Sequence, residues 1–388
     1  ANTMTRRNII LVITGANINE DRRVFDPDTN TTHVIARVQG GVPTGTGLIW
    51  VSTPEGDQAH YRLTVEQQIK NQMSPALKVG DCPGADVVAF ALAMRRIGLD
   101  GEITLCETPD PNFPHEVLEG KRLTGSLRGE PGKRDTTLIN PIDSGSLTLW
   151  NTVPTVWENF TIIDDDSHLG GLISLRLSEA ATLRHVRLLR EPYDEAVPNT
   201  SPVVYVNAGT STQLPNIELV VEDVLIEEGF AIGFDLDGKL NTTMERVSIG
   251  ATRIIGIDYN SFLYGSNFTM IDSDIAVAST TGSLLNYATN GSITIRGNTF
   301  RHDNVDNQYA YLMALQSKNE SNMRTSITVE DNTFYSSGSS HGGIDIFASG
   351  ANQDVVFNRN TMIAQGHVPT AAVHSLTLRS GSGSVNHN

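Results

Sequence analysis

Residues 292–300 read SITIRGNTF and residues 326–334 read SITVEDNTF, two near-identical phrases 34 positions apart. Each alternates apolar and polar positions with a period of two, as a strand with one buried face must. Reduced to apolar, any, apolar, any, any, Asn or Val, any, apolar, the phrase recurs with its sixth slot at Phe160, Val186, Val224, Val247, Ser273, Asn298, Asn332 and Asn360. The intervals run from 23 to 38 residues. After each slot comes a second alternating run: LISLRL, VVYVN, IGFDLD, IGIDYN, LLNYA, LMALQ, GGIDIF and AVHSLTL. Short strands and turns repeating about every 25 residues, with no helix among them, predict an all-β solenoid of stacked coils.

The coil length, the Asn column at Asn298, Asn332 and Asn360, and an amphipathic segment ahead of the first coil resemble the right-handed parallel β-helix of the pectate-lyase-like superfamily. The resemblance covers roughly residues 82–388 and concerns architecture. In such a fold, parallel strands about 4.8 Å apart place one slot of each coil over the same slot of the last. Asn is expected in that slot because it tolerates left-handed backbone and bonds its amide to the Asn above. The repeated phrase is then a structural device and carries no catalytic information.

A solenoid must cover its ends. In GADVVAFALAMRRIG, the residues Val87, Phe90, Ala91, Met94 and Ile97 share one helical face, which predicts a capping helix over 85–97 with Asp86 as its N-cap and Gly98 as its stop. Residues 1–70 have a different texture. The runs NIILVITG, HVIARV and GLIWVS, separated by DPDTN and TPEGD, predict a small β-rich module, joined by a linker at 71–81 to a β-helix at 82–388. At the other end AVHSLTLRS reads as the last strand, followed by GSGSVNHN, so a loop or another subunit is expected to cover the final coil.

The net charge of −16 argues against nucleic acid or an anionic membrane as partner, and no apolar run approaches the roughly 20 residues of a membrane span. It argues more weakly against a uniformly polyanionic substrate. Ala1 in place of Met fits a chain whose signal peptide has been removed, as it fits a trimmed chain. Cys82 and Cys106 are either disulfide partners in an exported protein or two buried thiols.

Chemistry is sought on the outward positions of the second runs. If Ile232, Phe234 and Leu236 face inward, then Gly233, Asp235 and Asp237 face outward, with Asp258 and Asn260 on the next coil and Asn286 on the one after. Ser174, Arg176, Tyr205 and Asn207 precede them and Asp345 follows, giving one polar strip. Asp235 and Asp258, one coil apart, are the candidate catalytic pair, since two close carboxylates raise one pKa and so create a general acid. Tyr205, Asp237, Asn260, Asn286 and Asp345 are candidate substrate contacts, with Arg301, His302 and Tyr309 brought to the rim by a loop, as are His168 and Tyr193. Asp235, Asp237, Asp258 and Asn260 also make an oxygen cluster of the kind calcium accepts. The bland alternative is that outward Asp and Asn are simply solvated. A second outward column, two residues before each slot, pairs Glu158 with Arg184 and Arg296 with Glu330.

Enzymes that the resemblance brings to mind carry signatures absent here. There is no Asp-Asp, Gly-His-Gly and Arg-Ile-Lys set, with His341-Gly342-Gly343 a poor echo, and no Asp-Pro-His; only Lys239 and Arg253 stand near the acidic strip as lyase-type bases. Phosphate loops, zinc spacings and a Gly-x-Ser-x-Gly elbow are missing as well. Two readings follow. One is an extracellular protein that binds or depolymerises a polysaccharide or cell-surface glycan, as a glycoside hydrolase or polysaccharide lyase if it cleaves. The other is a structural or adhesive subunit of a surface filament, phage fibre or spike, forming a homo-oligomer or a head-to-tail polymer.

Overall fold

The computed structural model describes residues 74–386 apart from inter-strand segments, chiefly 142–145, 165–170, 191–200, 210–214, 228–231, 253–254, 261–264, 278–283, 288–290, 303–309, 319–324, 338–341, 350–352 and 366–375, and five strands within residues 1–73. The chain forms two compact units, Ala1–Met73 and Ser74–Asn388. The first is β-rich, as its sequence predicted, and its strands pair antiparallel. Ile10–Ile13, Gly45–Ser52 and Gln58–Val65 form one sheet, and Asn17–Asp26 pairs with Thr31–Gln39 as a hairpin across the DPDTN segment.

The second unit is a parallel β-solenoid of about 7 turns. A representative coil has three strands: an approach strand Leu240–Glu245, an exit strand Ser248–Thr252 and a return strand Ile255–Asn260. Approach and exit strands stack on their counterparts in a 20-stranded sheet, and return strands stack in a 10-stranded one. The two opening phrases lie directly over each other, with Ser292 opposite Ser326, Ile295 opposite Val329 and Phe300 opposite Phe334. Inward positions fill the interior with Phe234, Phe268, Phe300, Phe334 and Phe357, all fully buried. The rings of Phe300 and Phe334 stack at 5.1 Å between centroids.

Between approach and exit strand the chain turns at a single left-handed residue, and that residue precedes the repeated slot instead of occupying it. Asn159, His185, Asp223, Arg246, Asp272, Asp331 and Arg359 have φ between 50° and 62°, and Gly297 has 70°. A side chain there costs roughly 1–2 kcal/mol. Hydrogen bonds to both neighbouring coils offset it: Arg246 N–H donates to Ile271 C=O at 3.1 Å, and Ser248 N–H to Val224 C=O at 2.8 Å. The slot itself points inward and is buried in every coil. Asn there is therefore selected for its amide, not for left-handed backbone. Asn332 Oδ1 accepts from Asn298 N–H at 2.9 Å and from Asn298 Nδ2 at 3.0 Å, while Asn332 Nδ2 donates to Ile295 C=O at 3.0 Å and to Asn360 Oδ1 at 2.9 Å. Ser273 extends the ladder, donating its N–H to Asn298 Oδ1 at 2.9 Å and accepting from Val247 N–H at 3.0 Å.

The solenoid begins earlier than its repeat pattern. Ser74–Val79, within the expected linker, is already a strand, paired in parallel with Ile97–Leu105. The helix between them is shorter than predicted, Phe90–Arg96, and lays Phe90, Ala93 and Met94 against the first coil. Its N-cap is Ala89, without a side-chain bond. Asp86 instead accepts from Lys78 N–H at 2.7 Å, closing the turn after the first strand. Ile97 is already extended, so Gly98 continues a strand and does not stop the helix. Cys82 and Cys106 form a disulfide across this end, their Cα atoms 6.1 Å apart. Beside it the buried His115 donates Nε2–H to Cys106 C=O at 2.9 Å and meets Phe90 edge-on. Burial pushes the His115 imidazole below its usual range, against the opposing effect of that bond. Acidification through the ordinary histidine range thus protonates the unfolded chain preferentially and loosens the cap. At the far end, Ser382–Asn386 within GSGSVNHN adds an approach strand on Gln353–Asn358, so AVHSLTLRS is not the last strand.

Of the expected charge pairs, Glu158 with Arg184 forms, and Arg128 joins from the other side, itself bound to Glu102 at 2.9 Å. Burial pushes the Glu158 carboxyl up, but the guanidiniums of Arg184 and Arg128 outweigh it and hold it below the ordinary carboxylate range. Arg296 reaches Asp331 at 3.5 Å instead of Glu330, and Glu330 is met by Arg359 at 3.7 Å.

Replacing Asn332 by Ala removes the acceptor of Asn298 N–H and the amide donor to Ile295 C=O, and an orphaned buried group costs roughly 1–3 kcal/mol. Urea unfolding should show a loss of about 2–5 kcal/mol. A loss below about 0.5 kcal/mol, the range of an ordinary surface change, would mean that the ladder does not carry this region. Reducing the disulfide, or Cys82→Ser, should lower stability by roughly 3 kcal/mol for a loop of this size, read as a drop in the thermal midpoint; an unchanged midpoint would show that the cap holds without it.

Candidate functional site

The return face carries the expected acidic cluster. Tyr205 lies on Pro202–Asn207, Asp235 and Asp237 on Ile232–Asp237, and Asp258 on Ile255–Asn260. The register stacks Tyr205 on Asp235 and Asp235 on Asp258 in one column, with Asn207, Asp237 and Asn260 in the next. Alternation is the cause: Phe234, Leu236, Ile257 and Tyr259 face inward and are fully buried, which leaves the residues between them half-buried on the outer face. Gly233 is an exception, being buried, because any Cβ there would meet Gly256 C=O of the following coil at 2.4 Å.

Tyr205 donates its hydroxyl to Asp237 Oδ2 at 3.2 Å and accepts from Asn207 Nδ2 at 3.2 Å. Burial, with the Asp237 and Asp235 charges, pushes the Tyr205 phenol up against the lowering effect of Asn207. Asp235 Oδ1 is buried and receives no hydrogen bond among the described residues. Burial first, then the charges of Asp237 and Asp258, raise the Asp235 carboxyl to about 7. A carboxyl raised to about 7 beside a second carboxyl one rung away has the makings of an acid and its partner.

Other expected contacts fall elsewhere. Asn286 takes a register position between Tyr259 and Leu315, two buried inward residues, and is not in the outward column. A shift of one residue exchanges the faces of a strand. Asp345 does share the column of Asp258, but Leu285 and Ala314 come between, so the acidic strip ends at Asp258. Arg301 and His302 sit on the exit strand Thr299–His302, where Arg301 pairs with Asp274 at 2.7 Å and His302 is fully buried. Lys239 is buried. Tyr309, His168, Tyr193 and Arg253, and the side chains of Asn260, Asn286 and Asp345, lie outside the described residues.

For a cation, among the described residues the one set of three or more His, Cys, Asp or Glu side chains whose ligand atoms converge within 4.8 Å is Cys82, Cys106 and Glu130, and its cysteines are bonded to each other. Asp235, Asp237 and Asp258 do not converge to that degree, so the described part of the expected calcium cluster falls short of a shared site.

The same face holds a feature that the repeat pattern missed. Trp150, on Leu147–Asn151, lies between two guanidiniums, Arg122 at 3.7 Å and Arg176 at 5.0 Å from its ring centroid. Trp150 and Arg122 belong to coils ahead of the first recognisable slot, Phe160, where the phrase is too degenerate to find.

No protein-family model matches this chain, and no curated protein matches it. Among the described residues no helix is long and apolar enough to cross a membrane.

Because the folded Asp235 carboxyl keeps a proton that the unfolded chain releases near pH 4, stability falls as pH rises from about 4 through about 7. Asp235→Asn should therefore raise the thermal midpoint at pH 8, with the gain shrinking toward pH 4. An equal midpoint change at both pH values would show that Asp235 titrates normally.

Proposed function

We propose that this chain is an exported, glycan-directed β-helix of the pectate-lyase-like kind, which binds and depolymerises a polysaccharide along the return face. The observation that carries the reading is the half-buried Asp235, with its carboxyl raised to about 7 by burial and by Asp237 and Asp258. Its neighbour Asp258 is the register partner one rung away, close to the separation of about 5–5.5 Å at which a carboxylate pair retains configuration. Asp235 gives its proton to the glycosidic oxygen as the bond to the sugar breaks, and Asp258 attacks the anomeric carbon. Water then releases the sugar while Asp235 takes the water's proton back. The Cys82–Cys106 disulfide supports an oxidising, extracellular setting.

A structural or adhesive subunit is the competing reading. It is favoured by Tyr205, Asn207 and Asp237 bonding to one another, which leaves fewer polar groups for a ligand.

Reducing-end release from a panel of polysaccharides decides between them. Asp235→Asn and Asp258→Asn should each lower turnover by roughly 10²–10⁴-fold, and wild-type turnover should decline as pH rises through about 7, where the acid loses its proton. Unchanged turnover in Asp235→Asn removes the acid assignment. Head-to-tail polymers, with no glycan cleaved or retained, would establish the structural reading.

A further inference from the structure

We propose that Arg122, Trp150 and Arg176 form an anion subsite for an acidic sugar, so that the ligand of the return face is a glycan whose negative charges are spaced apart. This rests on the glycan-directed reading and names the substrate class within it.

Arginines on the approach and exit faces are neutralised: Arg128, Arg184, Arg246, Arg301 and Arg359 each meet a carboxylate. Arg122 and Arg176 differ. Both are exposed on the return face, and neither forms an ion pair or a hydrogen bond among the described residues. Each guanidinium is instead held against Trp150. A guanidinium held over a ring and joined to no carboxylate keeps its N–H donors open, in the fork that matches a carboxylate or sulfate. In a chain of net charge −16, two such cations flanking one aromatic ring make a local reversal of charge.

Position supplies the rest. Trp150 stacks on Arg176, Arg176 on Asn207, and Asn207 on Asp237. Arg176 thus stands two rungs, roughly 10 Å, from the level of Asp235 and Asp237. Along the solenoid axis the face runs from cationic to anionic. A polymer with a negative charge on every sugar would bring one against the Asp235, Asp237 and Asp258 group. A polymer with acidic sugars at intervals can seat one at the arginines and a neutral sugar at the aspartates.

The test is affinity electrophoresis and calorimetry at pH 7 on the full chain. Its probes are hyaluronan, with a carboxylate on alternate sugars, chondroitin sulfate and polygalacturonate, both charged on every sugar, and neutral hydroxyethylcellulose. The expected result is that hyaluronan binds more tightly than the other three. The Arg122→Gln/Arg176→Gln double variant should lose at least tenfold in that affinity with an unchanged thermal midpoint, and the Arg→Lys pair should recover part of it. Chondroitin sulfate or polygalacturonate bound as tightly as hyaluronan overturns the spacing of the charges. Neutral glycan bound as well as the acidic ones, with the double variant unaffected, overturns the subsite while leaving the glycan reading standing. Retention of no glycan at all overturns both.

Discussion

From Thr155 onward, each coil depends on one left-handed residue followed by one buried side chain. The pair converts an approach strand into an exit strand without breaking the parallel stack, and its hydrogen bonds reach the coil on either side. Seven of the eight left-handed positions at these bends carry side chains, including Arg246 and Arg359, which do not favour that backbone. Stacking supplies the compensation. Side chains at these bends meet across rungs, as in the Arg246 contact with Asp223 at 2.7 Å and that of Arg359 with Asp331 at 2.7 Å. The local cost is thus met by neighbours far apart in the chain, and the solenoid is cooperative along its axis.

The buried slot beside the bend admits two chemistries. In the earlier coils it is Phe160, Val186, Val224 and Val247, and burial of apolar surface is enough. From Ser273 onward it is polar, and a buried amide is tolerable because each Asn has both its oxygen and its nitrogen engaged. Stacking regularity makes this network possible, since a ladder of amides needs each carboxamide at the same place in its coil.

The rigidity of that frame matters for the return face. Side chains on stacked strands are held at fixed spacing, so carboxyls brought together by the register cannot move apart, and burial, joined by the charges of Asp237 and Asp258, pushes the Asp235 carboxyl up. The same spacing holds Arg122 and Arg176 on either side of Trp150. Cations and carboxylates that would pair if mobile remain separate along one surface, which is the condition for a site with directional charge.

Period-two alternation, the recurring slot and the capping segment were legible in the sequence because each is a local pattern repeated many times. So was the stacking of Asp235 on Asp258, since two return runs, IGFDLD and IGIDYN, read almost alike. Where repeats degenerate, local reading loses its footing. Ser74–Val79 and the coils around Arg122 and Trp150 precede any recognisable copy, and Asn286 falls in a run, LLNYA, whose alternation fits two registers. Arg301 and His302 follow the repeated phrase directly, and only the length of the exit strand shows that they are still within the sheet. Alternation is a property of a strand by itself, and so the sequence alone determined that the chain is a β-solenoid and which faces its best-formed strands bury. Register, the identity of the left-handed residue and the partners of each charge depend on which coil lies above and below, and those were decided only by the tertiary stack.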